Sequence, residues 1–265
     1  MIQTIKILTG ATLLTIALSS CYKNEYGVVD LTMPEDNITE QKYVYNHPCA
    51  MYNEADFTRV KTMLDNGTAP EAVKKEFTNL KNNSYTMLSY TPEPQEEIVR
   101  GEATGTIPGK ENYSYAMKDA AAAFQTAMLW KLTGDTKYAD LSVKILNAWA
   151  DVCKRITSND ANQMLAAGCQ GYTFANAAEI MQTYAGWAAN DVADFKKWIV
   201  DVFASKNKDF LDNHQGTNNC SLHYWSNWDL VNMCSYLSIG VLTENDDMVN
   251  FVVNYFLFWC RKWMS

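Results

Sequence analysis

A chain of 265 residues with 48% hydrophobic content is long enough to bury a large core, and a single domain is the default reading. Its net charge of -8, with no cluster of Lys and Arg anywhere, excludes nucleic acid as a partner, because phosphate binding needs a basic face. The same charge offers no long-range attraction to an acidic ligand.

In chain order, residues 1–20 read as a signal peptide. Lys6 supplies the positive start, Ile7 to Leu18 an apolar core too short for a membrane span, and Leu18-Ser19-Ser20-Cys21 a small-residue ending. That ending resembles a bacterial lipoprotein signal, which implies cleavage before Cys21, lipid on its sulfur, and a membrane anchor. The expectation is an exported lipoprotein in the periplasm or on the outer-membrane surface of a Gram-negative bacterium. Residues 21–42 read as a flexible tether, and the globular domain as 43–265. Setting Cys21 aside leaves Cys49, Cys153, Cys169, Cys220, Cys234 and Cys260, an even number that permits disulfides without fixing a pairing. Cys220-x-x-His223 lacks further ligands nearby, so no metal site is expected; most of these cysteines read as small core residues.

The globular part reads as helical. Asp56 to Leu64 carries Phe57, Val60, Met63 and Leu64 on one stripe, and Ala69 to Leu80 carries Val73, Phe77 and Leu80, with Pro70 in its first turn. A loop from Ser89 to Asn112, rich in Gly, Pro and Glu, follows; loops of that length often line a site. Tyr115 to Leu132 and Thr136 to Cys153 form an antiparallel hairpin, with Gly134 stopping one helix and Asp135 or Thr136 capping the next. Further helices are expected over Phe174 to Ala188, Val192 to Ala204, Leu222 to Leu242 and Asp246 to Phe258, and no strand-like alternation competes with them. Helix pairs joined by alternating short and long loops point to an all-α class, an (α/α) toroid or incomplete barrel built from antiparallel hairpins. A generic helical bundle or a repeat solenoid is the alternative.

One stretch stands apart, "NNCSLHYWSNWDL" from Asn218 to Leu230. On a helix that reaches back toward Asn219, the residues Asn219, His223 and Asn227 fall at i, i+4 and i+8 on one face, and Tyr224 and Trp228 form an aromatic pair beside them. Asn and His are poor interior helix residues, so three on one face call for a reason beyond folding. Amides, an imidazole and the indoles of Trp225 and Trp228 are what a sugar cleft needs: rings stack on apolar sugar faces while polar groups bind hydroxyls and carboxylates.

Three segments, "HPCAMYNEADFTRVKTMLDNG", "NDANQMLAAGCQGYTFANAAEIMQTYAGW" and "HYWSNWDLVNMCSYLSIGVLTENDDMVNFVVNYF", resemble in this order the alginate lyase-type polysaccharide lyases of helical-toroid fold. The resemblance covers about Asn46 to Phe256 and implies β-elimination on a uronate-containing polysaccharide, without a redox cofactor. The carbon-5 proton of a uronate leaves only when its carboxylate is neutralised by hydrogen-bond donors. The resemblance implies Asn219, with Asn218 or Asn227, as the carboxylate grip and His223 as general base or second neutraliser. A tyrosine donates the proton to the leaving oxygen; Tyr224 is the candidate in the catalytic set, while Tyr172 and Gln170 of "CQGYTFAN" are candidates for substrate contact. Tyr113 and Tyr115 are weaker ones. His47-Pro48 reads as a structural opening of the domain.

Two departures from the family pattern stand out. Cys220 occupies the place where several relatives carry His directly after Asn-Asn, and relatives run well beyond 265 residues. The ending "NYFLFWCRKWMS" lacks an amphipathic period. If TGG TGC AGG AAA TGG ATG underlies it, reading one nucleotide later turns Trp259 to Trp263 into Gly-Ala-Gly-Asn-Gly, a stretch of the type found in relatives after "NYF". The expectation is therefore a frameshifted, truncated lyase. The alternative is a surface glycan-binding lipoprotein without chemistry, and an (α/α) glycoside hydrolase ranks last, since Asp229 has no evident partner acid.

Overall fold

The computed structural model describes residues 40–101, 111–158, 160–213 and 227–264, with side chains described through residue 257. These fall into two compact units, one spanning Lys42–Val249 and one pairing Met1–Gln41 with Asn250–Ser265. Helix α1 (Glu54–Asp65) starts from a capping box in which Asn53 accepts from the Asp56 N–H and Asp56 reaches back to the Asn53 N–H. Helix α2 (Glu71–Lys81) follows Pro70, which sits at the cap in an extended conformation rather than inside the first turn, and it buries no residue fully.

The long loop is not structureless. Strand β1 (Glu97–Val99) pairs in parallel with β2 (Arg155–Thr157), register Glu97↔Arg155 and Val99↔Thr157, and its central Ile98 and Ile156 are both buried. Asn112 ties β1 to the next helix by accepting from the Val99 N–H at 2.7 Å and donating to the Glu97 carbonyl at 2.9 Å. Three-residue strands are too short to show alternation in sequence.

The hairpin of α3 (Tyr113–Thr133) and α4 (Thr136–Val152) forms as its residues dictate: Gly134 ends α3 in the left-handed region at φ 77° and Asp135 caps α4 through the Lys137 N–H. A fully buried alanine face on α3, from Ala116 through Ala120 and Ala123 to Ala127, lets its neighbours approach closely. Helix α5 (Asn162–Met181) begins and ends earlier than expected, and α6 (Ala189–Ile199) continues through a π-helical turn at Val200–Ala204 into α7 (Ser205–Asn213). Helices α8 (Asp229–Leu242) and α9 (Asp246–Met264) complete the described elements.

Helix α5 lies between α3 and α8, and α4 packs against α3, α5 and α6. Aromatics fill the space between: Phe174 of α5 meets Trp149 at 5.6 Å, Trp198 at 5.6 Å and Phe203 at 6.0 Å between ring centres. The indoles are satisfied, since Trp198 donates to the Cys153 carbonyl at 2.8 Å and Trp187 to Asn147 at 2.9 Å. Of the cysteines that are described with their side chains, Cys153 is buried, Cys49 and Cys169 are half-buried and Cys234 is exposed, all as free thiols. Within the second unit, Gln41 and Asn250 exchange two hydrogen bonds of 3.1 and 2.9 Å.

Candidate functional site

The site is built on the contact between α5 and α8. A Cβ on Gly168 would stand 2.7 Å from Val231, and one on Gly171 would stand 3.0 Å from Phe203 and clash with the Ser235 hydroxyl, so the two glycines are what lets the helices touch. A buried polar ladder runs along the seam. Ser235 donates to Asn207 at 2.8 Å, Asn207 to Asn232 at 2.8 Å, and Asn232 to the Trp228 carbonyl at 2.9 Å. On the far side Asn176 donates to Ser238 at 3.1 Å and to the Tyr172 carbonyl at 2.8 Å. The Asn176, Asn207 and Asn232 amides therefore find partners, and the ladder fixes where α8 starts.

That start is the end of the amide-rich stretch. Asn218, Asn219, His223, Tyr224 and Trp225 lie outside the described residues, as does Cys21. Asn227 and Trp228 form the turn leading into α8; the Trp228 ring packs on Phe210 at 6.1 Å, and Asn227 is exposed. Leu230, 51% exposed, and the exposed thiol of Cys234 continue the same open face.

Across the seam stands Tyr172, half-buried, with its hydroxyl 3.8 Å from the Met51 sulfur. Burial, helped by Cys234 and Tyr52, pushes its phenol above the usual tyrosine range, so it keeps its proton. Gln170 does not share that surface. It lies about 200° from Tyr172 around the helix, buried, and its Oε1 has no partner. The structure thus sets Tyr172 beside Cys234 on α8, two turns on from Asn227, and turns Gln170 into the helix layer.

A second cluster carries more chemistry than its sequence context announces. His47 Nδ1 lies 2.8 and 3.0 Å from the two Glu179 oxygens, and its Nε2 lies 3.2 Å from Glu244. The Cys49 thiol is 3.8 Å from the same Nδ1, and the Cys49 N–H donates to Glu179 at 2.8 Å. Gln182 donates to the other Glu179 oxygen at 2.8 Å. Burial, with the Glu179 carboxylate behind it, pushes the Cys49 thiol up to about 11. The Tyr45 ring stacks on His47 at 6.2 Å and its hydroxyl donates to Asp246 at 2.9 Å. Glu179 shares a face of α5 with Tyr172 and Asn176, so the segment before α1 and the open surface of the α5–α8 pair adjoin one helix stripe. His47-Pro48 reads in sequence as a structural opening of the domain, since the partners of His47 stand 132 and 197 residues away.

Helices of this order, α3, α5 and α8 in one row with α4 and α6 behind, are the all-α architecture of antiparallel hairpins. The chain belongs to the alginate lyase family, whose model matches residues 68–259, well over half of its length. Among solved structures it is similar to alginate lyase A1-III from Sphingomonas species A1, with a TM-score of 0.54 at 16% identity over 76% of this chain. That likeness shows the fold, an (α/α) toroid type. The chain spans 56% of the length of that enzyme. No curated protein matches the sequence.

Proposed function

We propose that the protein is a polysaccharide lyase that cleaves a uronate-containing polymer, alginate- or glucuronan-like, by β-elimination. The observation that carries the reading is family membership over residues 68–259, a span that takes in both Tyr172 and the whole of Asn218 to Leu230. In this reading Asn219, with Asn218 and Asn227, holds the uronate carboxylate and stabilises the charge that develops when the carbon-5 proton leaves. His223 takes that proton as a neutral imidazole, and Tyr224 returns one to the departing glycosidic oxygen. Tyr172, Trp225 and Trp228 form the platform for neighbouring sugars. The exposure of Asn227 on the open face of α8, and a Tyr172 phenol that holds its proton, support a donor-rich wall there. In the same reading the lipoprotein-like start at Cys21 anchors this activity to the membrane.

The test is the absorbance of unsaturated ends on alginate and on glucuronan. Wild type is expected to produce it, and His223→Ala and Asn219→Ala to lose about 100-fold or more, the range for removal of an acid–base group or a charge-stabilising donor. Polymer binding without any gain in absorbance would show a glycan-binding protein instead.

A further inference from the structure

We infer that His47, Cys49 and Glu179 form a binding site for a single zinc-like divalent cation, with Glu244 as the partner that orients the imidazole. The inference is independent of the lyase reading. One ligand atom from each of the three residues, Nδ1, Sγ and a carboxylate oxygen, lies within 4.8 Å of the others. That is the span a first coordination sphere requires after a small contraction, and imidazole, thiolate and carboxylate together are the donor set of zinc.

The surroundings match what holds metal ligands in place. A ligating histidine almost always gives its other ring N–H to a carboxylate, a backbone carbonyl or water, which fixes tautomer and orientation. Here Nδ1 faces the cluster and Nε2 lies 3.2 Å from the Glu244 carboxylate. Glu179, nearly inaccessible to solvent, is aimed by the Cys49 N–H and by the Gln182 amide, one donor on each oxygen. Glu244 is also a backbone exception. It ends α8 in the left-handed region at φ 56°, the conformation that favours glycine, while Asn245 N–H closes onto the Gly240 carbonyl at 2.8 Å. A glutamate at a position that favours glycine stores strain, and what it gains here is a carboxylate on the imidazole. Three protein ligands leave one position for water or another oxygen donor. Binding releases the Cys49 thiol proton to solvent as the sulfur–metal bond forms, so affinity rises with pH.

The experiment uses the full chain, stripped with a chelator and titrated with Zn²⁺ by calorimetry and with Co²⁺ by absorption. One equivalent of Zn²⁺ is expected to bind, and Co²⁺ to develop a thiolate charge-transfer band. Cys49→Ser abolishes the band, Cys220→Ser retains it, and Glu244→Gln retains it while weakening Zn²⁺ binding about 10- to 100-fold. Far-ultraviolet circular dichroism checks that each variant is folded. If Cys49→Ser does not fold, the band's survival in Cys220→Ser and the weakened Zn²⁺ binding of Glu244→Gln decide the matter. The inference is overturned by the absence of a saturable one-equivalent step in wild type, by a band that survives Cys49→Ser, or by a band that vanishes with Cys220→Ser.

Discussion

Asp119 and Glu179 are both carboxylates that are 1% exposed, and each ties a stretch of chain to a core helix. Asp119 on α3 accepts from the Tyr90 hydroxyl at 2.6 Å, the Trp149 indole at 2.7 Å and the Glu93 N–H at 2.8 Å. Those donors belong to packed side chains and backbone, and the carboxylate pins the long loop to the α3–α4 hairpin. Glu179 on α5 also takes a backbone N–H and an amide, yet its remaining neighbours are an imidazole and a thiol, groups that exchange protons and bind metals. Burial alone therefore does not distinguish a structural carboxylate from one held ready for a ligand. The donors around it do.

The contrast is sharpest under substitution. Asp119→Ala leaves the buried Trp149 indole, the half-buried Tyr90 hydroxyl and the Glu93 N–H without an acceptor and is expected to cost about 3–5 kcal/mol in urea denaturation; a loss below about 1 kcal/mol would show that this carboxylate does not pin the loop. At free Zn²⁺ 100-fold above its Kd, wild type is expected to gain about 2.7 kcal/mol and Cys49→Ser nothing, while Asp119→Ala keeps the gain. Gly171→Ala forces a methyl against Ser235 and Phe203 and is expected to cost about 1–3 kcal/mol, read in the same denaturation.

Acidity provides the smallest effects. Burial moves the Cys153 thiol from the ordinary 9.0 up to about 11, so its stabilisation is complete below pH 9.0 and lost as pH rises through 11. Burial, then the hydrogen bond to Asp119, raises Tyr90 in the same direction. The urea midpoint is expected to fall above pH 9, and less steeply in Asp119→Ala. At the acid end the Tyr45 hydroxyl holds the Asp246 carboxyl below 3.8, so that contribution is present above 3.8 and lost as pH falls further. A Tyr45→Phe variant should flatten this limb.

The local elements were legible where the chain writes its own signals. Gly134 and Asp135 announced the hairpin, and the stripes of α1 and α2 were read within a few residues of their ends. Helix α5 was read late, from Phe174, because Gly168 and Gly171 weaken helix propensity for a tertiary reason: the approach of α8. The π-helical turn hid the continuation of α6 into α7. At the candidate site, Tyr172 is proposed from its place in the family-like segment "CQGYTFAN" and Asn227 from the amide-rich stretch. Gln170 was grouped with Tyr172 by sequence nearness, although two steps along a helix point away from each other. The His47 cluster had no spacing to betray it, since its members come together only through α5 and the turn after α8.

Elimination and hydrolysis leave different ends on the same polymer. Mass spectrometry of the oligosaccharides released from alginate or glucuronan reads that difference directly. Non-reducing ends lighter by one water and carrying a carbon–carbon double bond are expected, as is their disappearance with His223→Ala. Saturated ends, or an intact polymer bound without cleavage, would contradict elimination.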